Sequence, residues 1–197
     1  VLKKKLKKLK SHVTVTEIKI AQAPGPIMAT TVWTSKGAEG SKMDMMGMTV
    51  QSSYFDGKQG GTGGQGGVTV MTEEEIVEKK KSYGLIPEMN YAESGMDYEL
   101  TGIEIYDGKP CYVLKLTESK KVTFEYFDKE TFQKTASVMM AATEQGMQEV
   151  TYTYADYKEY GGFLFPDTIN LFVSGMQLSG KVKSREINVK VDLNEFK

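Results

Sequence analysis

The residues able to do chemistry are few and scattered. His12 is the only histidine and Cys111 the only cysteine among 197 residues. A lone histidine leaves no histidine pair for a metal and no plausible Ser-His-Asp set. A lone cysteine excludes an intrachain disulfide and a cysteine-cluster zinc site. His12 follows a lysine-rich segment and reads as an exposed boundary residue rather than a base. Cys111 stands in a strand-like run without a nearby histidine, so it reads as a small core residue rather than a nucleophile. Asp107, Asp128, Asp156 and Asp167 all fall at turns or strand ends, where local backbone hydrogen bonding accounts for them. No catalytic residue, metal site or cofactor is assigned.

The glycine tract from Gly60 to Gly67 invites comparison with a phosphate loop. Such a loop needs a Lys-Ser or Lys-Thr pair after the glycines, opening a helix. Here Val68, Thr69 and Val70 follow, which favour a strand. The tract is expected to be a flexible hairpin tip.

Composition narrows the class further. Hydrophobic residues make up 40% and charged residues 26%, enough apolar side chain for a core and too much for wholesale disorder. The formal charge of -1 provides no field to draw nucleic acid, so none is expected as a partner. No run of eighteen apolar residues offers a transmembrane segment. The chain opens at Val1 without an initiator methionine or an apolar signal core, and reads as a mature or a trimmed fragment.

The elements that must position any site are mostly strands. Leu2, Leu6 and Leu9 repeat at helical spacing among lysines, predicting an N-terminal helix over about 1–10 that ends near Ser11 and His12. Alternating segments follow at Val13 to Ile20, Met28 to Lys36 and Lys42 to Phe55, the last folded at Gly47. Pro24-Gly25-Pro26 and Asp56-Gly57 are turn signals. Thr72 with Glu75 is a capping box, predicting a helix to about Tyr83 within a helical insertion over about 72–91. From Tyr98 onward the chain is a meander of strands separated by Asp107-Gly108, Asp128 to Thr131, Gly161-Gly162 and Gly175. About ten sequential strands must curl or close.

Methionine is over-used, at 12 residues, with Met43, Met45, Met46 and Met48 close together and Met139, Met140 and Met147 elsewhere. Methionine adapts to irregular apolar shapes, so these residues fit either ordinary core packing or a greasy lumen. The same two readings apply to Trp33, Phe124, Tyr126 and Phe165.

The stretches Asp107 to Leu116 (DGKPCYVLKL), Phe124 to Thr131 (FEYFDKET), Tyr154 to Pro166 (YADYKEYGGFLFP) and Arg185 to Phe196 (REINVKVDLNEF) together resemble the outer-membrane lipoprotein-sorting family. This family comprises the LolA/LolB-like periplasmic lipoprotein carriers and their Bacteroidetes relatives. Tyr54 to Lys58 (YFDGK) and the helix at Thr72 fit the same layout. The resemblance covers nearly the whole chain. It implies a single LolA/LolB-like domain over 1–197, mainly β. Its strongly curved antiparallel sheet would form a half-open β-barrel of about eleven strands, with short helices capping the concave face. It further implies an exported protein of the periplasm or cell envelope. The implied role is non-catalytic carriage of lipid acyl chains or lipoproteins, or of another apolar ligand, on that face. Position within the strands nominates Trp33, Met45, Phe55, Leu114, Phe124, Tyr126 and Phe165 as its apolar lining. Two departures stand out. Phe132 replaces a glycine of the family pattern, and the only arginine, Arg185, has no clear counterpart to the arginine that helps close the carriers' lid. The competing reading is a structural or protein-interaction domain of the envelope, its barrel filled by its own side chains and its partner another envelope protein.

Overall fold

The computed structural model describes residues 6, 8–21, 24–64, 66–82, 88, 91, 96–118, 121–143 and 146–197. Most of the expected N-terminal helix and of the segment 83–95 lies outside these residues. The chain forms two compact units. Unit 1 comprises Val1–Met89, Glu159–Phe165 and Lys181–Lys197; unit 2 comprises Asn90–Lys158 and Pro166–Gly180.

Unit 1 holds the strands β1 (Ser11–Ile20), β2 (Ile27–Thr34), β3 (Glu39–Met45), β4 (Met48–Phe55), β5 (Gly60–Gly64) and β6 (Gly67–Val70), each paired with the next. Met46 and Gly47 both take positive φ (52° and 79°), the geometry of a tight hairpin turn between β3 and β4. Most of the glycine tract is β5, and only its end, closed by the Gly64–Gly67 pair, is the tip of a hairpin with β6. Close approach explains the glycines. A Cβ on Gly60 would meet Tyr54 O at 2.7 Å, one on Gly61 would meet Thr69 O at 2.8 Å, and one on Gly63 would meet Ser52 Oγ at 2.8 Å. The helix α1 (Glu73–Ser82) follows. Its capping box is formed: the Thr72 N–H donates to Glu75 Oε2 at 2.7 Å, and the Glu75 N–H donates to Thr72 Oγ1 at 3.2 Å. That hydrogen bonding holds the Glu75 carboxyl below its ordinary pKa.

Unit 2 holds β7 (Asp97–Tyr106), β8 (Lys109–Glu118), β9 (Lys121–Asp128), β10 (Lys134–Thr143), β11 (Gly146–Ala155) and, after β12 (Lys158–Tyr160) and β13 (Phe163–Phe165), β14 (Thr168–Val173). β7 to β11 pair antiparallel in sequence, and β14 pairs β11. The run expected from Phe163 to Val173 is interrupted at Pro166, which has no N–H to donate to a ladder.

Hydrogen bonds join thirteen strands in the order β6-β5-β4-β3-β2-β1-β15-β14-β11-β10-β9-β8-β7, where β15 is Met176–Ile187; β12 and β13 pair separately. Among the described residues this order holds thirteen strands, where about eleven were expected, and its two end strands, β6 and β7, do not pair with each other. A short 3-10 helix, Leu193–Phe196, ends the chain.

Candidate functional site

Strand register sorts the side chains of each unit onto two faces, because directly opposed residues share a face and neighbours alternate. In unit 1, one face carries His12, Thr14, Ala29, Trp33, Glu39, Met43, Met45 and Phe55. Phe55 is fully buried. Helix α1 is tied to this face through an ion pair between Lys79 and Glu39. The opposite face carries Val13, Val15, Val32, Gly40 and Tyr54, and the C-terminal 3-10 helix covers it. Phe196 lies so close that a Cβ on Gly40 would meet its ring at 2.7 Å, and Lys197 Nζ sits 5.4 Å from the Tyr54 ring centroid.

The chain's only histidine and only arginine meet on the Trp33 face of unit 1. Arg185 Nε donates to Thr14 Oγ1 at 3.2 Å, and its guanidinium lies 4.5 Å from the Phe165 centroid and 5.2 Å from that of Tyr160. His12 packs against Phe165 at 5.6 Å and shares a 3.4 Å hydrogen bond with Thr14. His12 is therefore not an exposed boundary residue. Burial first, and the Arg185 charge second, lower its pKa to about 4. It is a neutral packing group at physiological pH.

In unit 2, one face carries Leu114, Leu116, Thr123, Glu125, Ser137, Met139, Ala141 and Val150. Glu125 is buried there with Lys134 as its ion-pair partner, and the Tyr91 hydroxyl donates to it at 2.6 Å. A groove of about 590 Å³ is lined by Leu116, Met139 and Ala141 of this face, by Met96, Glu118 and Lys121, and by Ala142 and Met147, which register places on the other face. The opposite face buries Cys111, Val113 and Ala136 beneath a Tyr106–Tyr126 ring pair with centroids 4.7 Å apart. Burial raises both phenol pKa values.

The residues nominated from sequence divide accordingly. Trp33, Met45 and Phe55 share one face of unit 1, and Phe165 joins it through His12. Leu114 shares a face with Leu116 in unit 2 but is not among the residues lining the groove. Phe124 and Tyr126 lie on the opposite face, opposed to Lys115 and Val113, so they do not line a surface with Leu114. Sequence reasoning missed Met96, Leu116 and Ala141 as lining. Leu116 was accessible through simple alternation from Leu114; Met96 and Ala141 needed the register of the neighbouring strands.

Among the described residues, no group of three or more His, Cys, Asp or Glu side chains is placed to hold a metal ion. No helix among them is long and apolar enough to cross a membrane.

The fold that the sequence resemblance implies, an antiparallel sheet with few helices, is borne out by solved structures. The chain is similar to an outer membrane lipoprotein-sorting protein domain from Vibrio parahaemolyticus (12% identity, 95% of this chain and 89% of that one, TM-score 0.63). It is similar to a LolA superfamily protein from Nitrosomonas europaea (12%, 98% and 94%, TM-score 0.62). A DUF1329 family protein from Desulfovibrio piger matches alike (12%, 98% and 92%, TM-score 0.66). No family model matches the sequence, and no curated protein does.

Proposed function

We propose that the protein is a non-catalytic carrier or binding domain of the cell envelope, taking up the acyl chain of a lipid or lipidated protein. The observation that carries this reading is the methionine-rich groove of unit 2. Its volume falls within the roughly 300–1,000 Å³ usual for small-molecule sites. Flexible thioethers in its lining let it adapt to a chain without fixed shape. Burying such a chain contributes about 0.8 kcal/mol per methylene, so affinity needs no charged contact. The lipoprotein-sorting and LolA proteins that share the fold support the same ligand class and an exported location. Trp33, Met45 and Phe165 provide a further apolar face on unit 1, whereas Phe55 is fully buried in its core; the two units act as a single domain. No catalytic step belongs to this reading: His12 packs against Phe165, and Cys111 is buried.

The test is titration with an environment-sensitive apolar dye, followed by competition with a fatty acid. Saturable binding displaced by the fatty acid is expected. Met139→Lys, which places an ammonium in the groove, should abolish it while far-UV circular dichroism stays unchanged. Absence of dye binding by the folded protein would overturn the carrier reading in favour of a self-filled structural domain.

A further inference from the structure

β7 ends the thirteen-stranded order, and among the described residues no strand pairs with its outer edge. Its sequence, DYELTGIEIY, sorts cleanly by face. Tyr98, Leu100, Ile103 and Ile105 share the face of their register partners Leu116, Leu114, Tyr112 and Pro110. They are 55, 62, 50 and 71% exposed, a run of large apolar side chains in water along one strand. Asp97, Glu99 and Glu104 occupy the other face and are also exposed. A row of unpaired backbone groups flanked by apolar side chains is a template for strand addition.

Charge decides among possible occupants. A second copy adding its own β7 would set acidic side chains beside acidic side chains, which is repulsive. The bulge between Leu100 and Gly102 further interrupts a regular ladder with an identical strand. The opposite end strand, β6 (GVTV), has no basic residue to answer the acids. A strand whose apolar residues alternate with lysine or arginine satisfies both faces at once: apolar against Tyr98, Leu100, Ile103 and Ile105, basic against Asp97, Glu99 and Glu104. We propose that β7 is a docking edge at which an extended, basic and apolar alternating segment of a partner protein adds as a further strand. The acids then serve twice, keeping copies of the protein apart and selecting the partner. This does not depend on the groove holding a lipid.

The experiment is an anisotropy titration of the intact protein with a labelled, end-blocked peptide in which valine alternates with lysine. The control is a peptide of the same composition with its valines and lysines in separate blocks. Saturable binding of the alternating peptide, at least about tenfold tighter than the block peptide, is expected. The Glu99→Lys/Glu104→Lys variant, checked for folding by circular dichroism, should lose that peptide and bind one alternating valine with glutamate. Equal affinity for both lysine peptides would reduce the effect to unspecific charge attraction and overturn the proposal. So would no binding by the folded protein. A dimer or filament of the unmodified protein dispersed by Ile105→Lys would overturn it too, because the edge would then belong to a second copy.

Discussion

His12 and Phe132 show how single residues carry consequences that their types do not announce. The His12 imidazole has a folded pKa of about 4 against an ordinary 6.5. Below pH 6.5 the unfolded chain binds a proton that the folded chain refuses. Stability is therefore full above about 6.5, falls as pH drops towards 4, and levels off below it. The full loss is on the order of 3 kcal/mol. Denaturation followed by circular dichroism across this window should show the slope, and His12→Phe should flatten it. Phe132 takes φ 58°, the left-handed region, and is 69% exposed. A side chain of its size costs about 1–2 kcal/mol there, partly offset by stacking on Tyr112 at 6.0 Å. Phe132→Asn should stabilise the protein, since asparagine tolerates that conformation. Phe132→Ala keeps the strain, loses the stack and should destabilise it. The two melting temperatures should move in opposite directions. The glycine expected at this position from the family pattern is explained by the same φ.

At the scale of elements, hairpins were legible and faces were not. Gly47, Asp107-Gly108 and Gly161-Gly162 all form the turns their types predict, with positive φ throughout. The tract Gly60 to Gly67 was only partly legible because glycine signals both freedom and close approach, and only the positions of Tyr54, Ser52 and Thr69 distinguish them. Phe124 and Tyr126 were assigned to a lining because both lie on an alternating strand; alternation fixes which residues share a face, not which face looks towards a groove. The 3-10 helix at Leu193–Phe196 gave little sequence signal, yet it seals one face of unit 1 at Gly40. Gly40→Ala should cost about 1–3 kcal/mol by overpacking against Phe196. Combination with Phe196→Leu, which shortens the ring side, should recover part of that loss. Additive costs in chemical denaturation would show that the two residues do not press on each other.

At the scale of the whole molecule, the near-balanced charge and the scarcity of reactive side chains were readable at once, whereas the number of strands came only from pairing and the division into two units only from how the folded chain clusters. Each unit carries one unique probe. Trp33 belongs to unit 1 and Cys111 to unit 2. Met139→Lys should abolish dye binding while lowering the stability followed by far-UV circular dichroism by no more than about 0.5 kcal/mol. A parallel loss of stability would mean that the groove residues are core. The Cys111 thiol has no exposed surface at all. A thiol-reactive chromophore added to the native protein therefore meets nothing until β8 swings clear of its neighbours, and colour develops at the tempo of that opening. The single cysteine, chemically idle in the folded state, is in this way a stopwatch for how often unit 2 breathes.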